Sequence, residues 1–142
     1  MRKYLLIGIG GALGAILRAL IMDIPIGFSP LLLPYNTLII NICGSFLLAL
    51  ILTVAYEILE LDTHIRLAIA SGFLGAFTTF STICQETVFL LFANEFLLAL
   101  LYFALTIILG FIAAYLGFLL AKGAISKLIN NHKAVNKIIK KA

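Results

Sequence analysis

Four long apolar stretches, separated by short polar breaks, dominate the pattern of hydrophobic and polar positions along the chain. They cover residues 4–22, 38–56, 67–92 and 96–121. As helices the first two would be about 28 Å long and the last two about 39 Å, against a hydrocarbon core of roughly 30 Å. Because lipid offers no partner to a free backbone group, each stretch is predicted to cross a membrane as a helix. The pattern therefore predicts an all-α membrane protein with four transmembrane helices.

The composition supports this prediction. Of the 142 residues, 63% are hydrophobic and 11% are charged, whereas soluble domains are about 45–50% apolar and about 25% charged. A water-soluble monomer has no place for so much apolar surface, so an ordinary soluble enzyme is excluded. The sequence also contains no P-loop and no nucleophile–base pair, and no enzymatic activity is predicted.

The charges are unevenly distributed. Six of the ten Lys and Arg residues lie beyond residue 121, so the net charge of +4 describes a tail more than the body. No nucleic-acid-binding motif accompanies these residues, and no nucleic-acid partner is predicted. We divide the chain into a transmembrane domain, 1–121, and a basic amphipathic tail, 122–142. The tail is either an interfacial helix on anionic lipid or a solvated helical extension.

The third stretch differs from the others in its middle, where Gly72 and Gly75 are followed by the hydroxyl residues Thr78, Thr79, Ser81 and Thr82. Glycines weaken a helix, and hydroxyl side chains can satisfy backbone groups that a break would free. The pattern favours a third helix broken at mid-membrane over a glycine-rich packing helix. Unwound backbone at this depth exposes carbonyls that coordinate hard cations such as Na⁺.

Polar residues also form two stripes on otherwise apolar helices. They are Thr37, Asn41 and Ser45 on the second helix, and Thr79, Thr82 and Glu86 on the third. Unpaired polar groups are costly in hydrocarbon, so the stripes are expected to face each other or water. They serve either as interhelical hydrogen bonds or as the lining of a hydrated conduit.

The chemistry of the stripes indicates what such a conduit would carry. Hydroxyls and an amide donate protons without bearing charge, and Glu86 is the single carboxylate among them. Arg18 would attract an anion to a vestibule, although a snorkelling Arg is an equal alternative. The weakly positive ring edge of Phe80 would add to the lining. The residues alone therefore indicate a small anion.

Three motifs make the chain resemble the CrcB/Fluc family of fluoride channels. The first is Gly10-Gly11-x-x-Gly14-Ala15-x-x-Arg18, whose glycines also predict tight helix packing. The second is Pro34-x-Asn36-Thr37-Leu38-x-x-Asn41-x-x-Gly44-Ser45-Phe46. The third and most specific is Gly72-Phe73-x-Gly75-x-x-Thr78-Thr79-Phe80-Ser81-Thr82, with Glu86 following. Asn36 stands where Gly is usual, and both residues tolerate a left-handed backbone.

This resemblance implies an antiparallel dimer with two fluoride pores and a central structural Na⁺. Gly75 and Thr78 match the positions that hold Na⁺ through backbone carbonyls, and Arg18 and Glu86 match vestibule positions. The matches to the pore are Asn41, Phe80, Ser81 and Thr82, with Thr37 on the same stripe. Ile83 departs from the family, which usually has a second Phe there. One pore would then contain Phe80 and Ile83 from opposite subunits, and changing Ile83 to Phe should preserve or improve transport.

The implied role is passive export of fluoride through the cell membrane, which protects the cell from fluoride toxicity. The alternatives are a dual-topology transporter of the small multidrug-resistance type and a non-conducting scaffold. The transporters use a Glu in the first helix for proton coupling, where this chain has only Arg18.

Charge raises a question about the partner subunit. With four spans, both termini and the second loop share one side, which carries nine of the ten basic residues. This bias favours a single orientation with cytoplasmic termini, whereas an antiparallel homodimer needs both orientations. The partner is therefore either a second copy of the chain or an oppositely biased paralogue.

Overall fold

The fold is described from a computed structural model that covers residues 1–25, 33–57 and 61–139, with side chains to residue 127. The elements follow one another as α1 (Arg2–Met22), α2 (Tyr35–Glu57), α3 (Thr63–Leu67), a π-helical segment (Ala68–Leu74), α4 (Gly75–Phe77), α5 (Phe80–Phe92) and α6 (Phe96–Ile139).

The prediction of an all-α chain with four spans is confirmed. Helices long and apolar enough to cross a membrane cover Arg2–Met22, Tyr35–Glu57, Thr63–Phe92 and Phe96–Lys127. The third of these comprises α3, the π-helical segment, α4 and α5. Many large apolar side chains on these helices are exposed, Leu20 and Phe111 among them. Such an exterior fits lipid or a protein partner rather than water.

Helix α1 packs closely against the π-helical segment. A Cβ atom added to Gly10 would collide with the carbonyl oxygen of Ala68, and one added to Gly14 would collide with that of Phe73. The backbones can approach this closely only because both α1 positions lack a side chain. The tight packing expected from the glycines of the first motif is thus confirmed.

Two apolar clusters hold the rest of the chain together. Ile40 of α2 packs with Leu74 and Phe77 on one side. The other cluster joins α2, α5 and α6 and consists of Leu38, Ile83, Leu90, Ala99 and Tyr102. Helix α2 is therefore central to the fold, since it contacts the third span on one side and α6 on the other.

Helix α6 does not end where its apolar stretch ends. It continues from Phe96 to Ile139 as one helix of 44 residues, about 66 Å at 1.5 Å per residue. Lys122 forms an ion pair with Glu57 at the end of α2. The change at residue 121 is one of polarity within a continuous helix, and the division into a membrane domain and a tail stays a prediction.

Candidate functional site

The centre of the candidate site is a pair of residues with extended backbone between α4 and α5. Thr78 has φ −76° and ψ 156°, and Thr79 has φ −147° and ψ 121°. Asn41 of α2 pairs with both polar backbone groups of Thr79. Its Oδ1 accepts from the Thr79 N–H at 2.9 Å, and its Nδ2 donates to the Thr79 carbonyl at 3.1 Å. The amide of Asn41 thus supplies the hydrogen bonds that a helix would otherwise provide.

The Thr79 hydroxyl is the hub of a second set of bonds and caps α5. Its Oγ1 accepts from the backbone N–H of Thr82 at 3.2 Å, which is the usual N-cap arrangement. The same oxygen lies 2.9 Å from Thr82 Oγ1 and 3.2 Å from Ser81 Oγ. We call Asn41, Thr79, Ser81 and Thr82 the amide–hydroxyl cluster. All of its side chains are neutral donors and acceptors.

These bonds change the surroundings of two backbone carbonyls. In a continuous helix the N–H of Thr79 would bond the carbonyl of Gly75, and that of Thr82 would bond the carbonyl of Thr78. Here the first N–H donates to Asn41 and the second to the Thr79 hydroxyl. The two carbonyls therefore lose their helical donors, and no other backbone N–H of the described residues replaces them. Oxygen ligands of this type suit a hard cation such as Na⁺.

A groove of about 420 Å³ borders the amide–hydroxyl cluster. It lies between α2, α5 and α6, and its lining includes Asn41, Ser45, Thr79, Phe80, Ile83, Phe103 and Thr106. The side chain of Phe80 is 68% exposed, whereas Ile83 is buried in the cluster that includes Leu38 and Tyr102. The two positions matched to the pore phenylalanines therefore differ in environment within one chain.

A second polar contact lies one turn earlier on α2. Thr37 donates to Glu86 Oε1 at 2.8 Å, and the Tyr102 hydroxyl donates to Glu86 Oε2 at 2.6 Å. Thr37 and Tyr102 are fully buried, at 0% exposure each. We call these three residues the carboxylate cluster. The two polar stripes, predicted to face each other or water, meet at this cluster and at the pairing of Asn41 with Thr79.

A cavity of about 360 Å³ opens beside the carboxylate cluster, and its lining includes Met22, Pro34, Thr82, Gln85 and Glu86. The sulfur of Met22, the last residue of α1, lies 3.8 Å from Thr37 Oγ1. Arg18 is one turn earlier on α1 and half-buried, and it forms no ion pair within the described parts of the chain. Of the two vestibule residues predicted from the sequence, Glu86 lines this cavity, and Arg18 is one turn before Met22, which also lines it.

The reason given above for Asn36 is wrong. Asn36 is the second residue of α2 and is helical, and Asn94 is the non-glycine residue with positive φ among those described. Its side chain instead bonds the end of α1, because Nδ2 lies 3.0 Å from the carbonyls of Ile21 and Met22 and 2.8 Å from that of Ile24. A side-chain function, not backbone freedom, distinguishes this position.

Sequence reasoning missed two residues of the site, Tyr102 and Asn36. Tyr102 belongs to the fourth apolar stretch, yet its hydroxyl donates to Glu86 Oε2. A signal was present, because a phenol inside a membrane span needs a hydrogen-bond partner. For Asn36 the signal was its place beside a helix end, where the amide of an Asn is a ready capping donor.

Comparison with known proteins decides the family. The family model described as "CrcB-like protein, Camphor Resistance (CrcB)" matches residues 5–118. The chain belongs to the CrcB family. The match includes all three motifs and both polar clusters, and it ends before the basic tail.

Similar CrcB relatives are named as channels. The "Fluoride-specific ion channel FluC" of Sulfurihydrogenibium sp. (strain YO3AOP1) is 43% identical over 122 residues, which are 86% of this chain and 98% of the relative. The protein of that name from Thermosipho melanesiensis is 40% identical over 126 residues, 85% and 97% of the two chains. One from Campylobacter jejuni is 39% identical over 122 residues, 86% and 99%. Four spanning helices in a CrcB chain make this a multi-pass membrane protein.

Proposed function

We propose that this chain is a fluoride-selective ion channel that exports F⁻ passively and so protects the cell from fluoride. The observation that carries the proposal is the amide–hydroxyl cluster beside the groove between α2, α5 and α6. It offers neutral donors in a CrcB chain whose relatives are named fluoride-specific channels. The absence of carboxylates from α1 argues against the proton-coupled multidrug transporter as the alternative.

Neutral donors suit a small anion that accepts strong hydrogen bonds. One Nδ2 hydrogen of Asn41 is used by Thr79, and the second is available to an ion in the groove. The Ser45 hydroxyl lines the groove and can turn its hydrogen toward the same ion. Ser81 and Thr82 bond the hydroxyl of Thr79, which also lines the groove. No fixed positive charge traps the anion there, and conduction requires binding weak enough for release. The edge of the exposed Phe80 ring adds a weakly positive surface.

The proposed assembly is an antiparallel dimer with two pores, in which the extended pair Thr78–Thr79 forms a break in the third span at mid-membrane. Support comes from the groove, which is bordered on one side by Phe80 with 68% of its surface exposed. A second subunit would close this side and bring its own aromatic residue beside Ile83. The pore would then contain Phe80 from one subunit and Ile83 from the other.

Na⁺ is the proposed structural cofactor of this dimer. The carbonyls of Gly75 and Thr78 would hold it, because their helical donors are bonded elsewhere. A hard cation would neutralise their partial negative charges and those of the partner's carbonyls at the subunit contact. The residues present thus fit the group, and the conduction pathway through the amide–hydroxyl cluster does not pass through it.

Export follows from charge and acid–base chemistry. Fluoride enters as neutral HF from acidic surroundings and dissociates inside, where the ion is trapped. A membrane potential is worth about 2.3 kcal/mol per charge per 100 mV and drives the anion outward through an open channel. We therefore place the channel in the plasma or inner membrane, without a coupling ion.

The partner subunit is either a second copy or an oppositely biased paralogue. The side that carries both termini and the second loop has nine of the ten Lys and Arg residues, which favours one orientation for every copy. The lysines of the tail would bind anionic lipid at that side. Fluoride efflux by the purified homodimer would exclude an obligate heterodimer.

The central test is fluoride efflux from proteoliposomes, measured with a fluoride electrode, for wild type and Asn41→Asp. The variant keeps an acceptor for the Thr79 N–H but loses the donor to the Thr79 carbonyl and adds a negative charge beside the groove. We expect efflux to fall at least about a hundredfold, since 1.4 kcal/mol is a factor of ten and a buried unpaired charge costs more than twice that.

Asn94→Asp is the matched control. Asn94 is exposed in the turn between α5 and α6 and has φ 63°, a conformation that Asp also adopts. Its efflux should equal that of wild type. Drug-dependent proton flux by wild type would instead support the transporter, and a chain that carries neither ion would support the scaffold.

A further inference from the structure

Asn36 connects two helices at the end of α1. Its amide nitrogen lies within 3.0 Å of three carbonyl oxygens, those of Ile21, Met22 and Ile24. The last carbonyls of any helix lack intrahelical donors, and the two hydrogens of the amide are shared among these three. The first turn of α2 therefore caps the C-terminus of α1.

This cap is part of the wall of the cavity beside the carboxylate cluster. Met22, whose carbonyl Asn36 binds, lines that cavity together with Glu86 and Thr82. The residue after Asn36 is Thr37, which donates to Glu86. Moving Asn36 would therefore move both the Met22 wall and the donor that holds the Glu86 carboxylate.

The cap also changes the charge that an anion meets there. The C-terminus of a helix carries about half a negative charge, and Asp23 and Glu86 add full negative charges at this end. Arg18, one turn before Met22 on α1, is a positively charged residue of the same helix end. The Ile21 carbonyl also accepts from the Ile24 N–H at 3.2 Å, so the carbonyls that would lose most without Asn36 are those of Met22 and Ile24. Uncovered, these two oxygens would further repel fluoride.

We infer that Asn36 is a positioning residue for fluoride entry, which caps the end of α1 and so sets the wall and the potential of the cavity at Glu86. This inference rests on the proposed channel function. A Gly at this position, which the resemblance described above would lead one to expect, supplies no donor. The chain thus has its own device for closing the contact between α1 and α2.

The test compares Asn36→Asp with Asn94→Asp in proteoliposomes at low fluoride and two ionic strengths, set with an impermeant salt. Asp has the size of Asn but presents only acceptors to the three carbonyls. We expect about tenfold slower efflux for Asn36→Asp at about 0.01 M, where the Debye length is about 30 Å, and a much smaller deficit at about 1 M, where it is about 3 Å. A merely structural defect would not be rescued by salt.

Asn36→Gly separates the effect of losing the cap from the effect of adding a negative charge. It removes the cap without adding a carboxylate, so efflux should fall by a smaller factor that varies less with salt. The Asn36→Asp protein must elute in detergent like the wild-type assembly for its efflux to be compared. If it does not, the efflux of Asn36→Gly tests whether Asn36 affects fluoride entry. Efflux by Asn36→Gly equal to that of wild type at low fluoride would overturn the inference.

The outcomes also separate this inference from the proposed function. Wild type without fluoride efflux would overturn both. Wild-type efflux together with equal rates for Asn36→Asp and Asn94→Asp at both ionic strengths would overturn the role of Asn36 alone. Slow efflux by Asn36→Asp that recovers at high ionic strength would support it.

Discussion

Two polar contacts join α2 to α5 and its N-cap residue, and they begin one helical turn apart, at Thr37 and at Asn41. In the amide–hydroxyl cluster every group is neutral, and Asn41 bonds the backbone of Thr79. In the carboxylate cluster two hydroxyls converge on the charged group of Glu86. The four hydrogen bonds have similar lengths, between 2.6 and 3.1 Å. In the first cluster they satisfy neutral backbone groups, and in the second they satisfy a carboxylate.

The difference between the two clusters shows that the fold separates the Glu86 carboxylate from the neutral site beside the groove. Beside the groove, both polar backbone groups of Thr79 are satisfied without any ionised side chain, so the site stays neutral. The carboxylate lies beside the cavity that Met22 and Pro34 line. Hydrogen bonds to an ionised group are roughly twice as strong as neutral ones. Loss of one donor should therefore have different signatures in the two clusters.

Among the variants that test this comparison, the largest effect on efflux is expected for Thr79→Val, which breaks the neutral cluster while keeping the shape of the side chain. The change removes the N-cap of α5, at a cost of about 1–2 kcal/mol of stability, and leaves Ser81 and Thr82 without their shared partner. We expect efflux to fall about tenfold or more, since 1.4 kcal/mol corresponds to a factor of ten. Efflux and a thermal melt in detergent measure the two consequences.

Thr87→Val is the control for this prediction. The Thr87 hydroxyl bonds only the Ile83 carbonyl of its own helix, at 2.7 Å, so its loss should change stability by no more than about 0.5 kcal/mol. Equal efflux from the two valine variants would show that the Thr79 hydroxyl has no special function.

A smaller effect on efflux is expected for Tyr102→Phe, whose main consequence is a loss of stability and which tests the part played by charge. It removes the donor to Glu86 Oε2 and retains the buried ring. Hydrogen bonds to charged groups contribute about 1.5–3 kcal/mol, so the variant should unfold at a lower temperature or denaturant concentration. In a protein that also carries Glu86→Gln, the loss of stability caused by Tyr102→Phe should be about half as large, because the hydrogen bond that it removes is then neutral.

Tyr115→Phe supplies the reference on the same helix, since Tyr115 is 62% exposed and its change should be nearly neutral. A loss for Tyr102→Phe that is undiminished in the Glu86→Gln protein would mean that the hydroxyl does not act through a charge.

The smallest effect on transport is expected for Ile83→Phe. The sequence predicts preserved or improved efflux, and the buried position of Ile83 adds a stability cost. Overpacking a core costs about 1–3 kcal/mol, because the ring must fit beside Leu38 and Tyr102. Val88→Phe on the same helix, at a position 47% exposed, should carry no such cost. Loss of efflux in a folded Ile83→Phe protein would contradict the proposed pore.

The meeting of the two stripes was predictable because the spacings of four, three and seven residues keep polar groups on one helix face. An isolated polar face in lipid needs a partner, and the other stripe was the available one. Which residue meets which was not predictable, since Asn41 bonds a backbone unit and Glu86 recruits a hydroxyl from α6. Those pairings depend on where three helices lie together.

Two features of the backbone were also outside the reach of the pattern. The π-helical segment Ala68–Leu74 consists of small and apolar residues, and nothing in their pattern distinguishes a π-helix from an α-helix. Helix α6 extends past Ala121 because hydropathy ends there while helix propensity does not. The tail is predicted from its polarity alone. It continues a membrane helix because no proline interrupts α6.

The pairing of Asn41 with Thr79 has a consequence for biogenesis. The polar backbone groups of Thr79 are satisfied within the same polypeptide, so a newly inserted subunit does not need its mate to shelter them from lipid. The carbonyls of Gly75 and Thr78 do not receive the backbone donors that a continuous helix would give them. Under the proposed assembly, insertion can therefore come first, and an orphan subunit is penalised at those two oxygens until it dimerises.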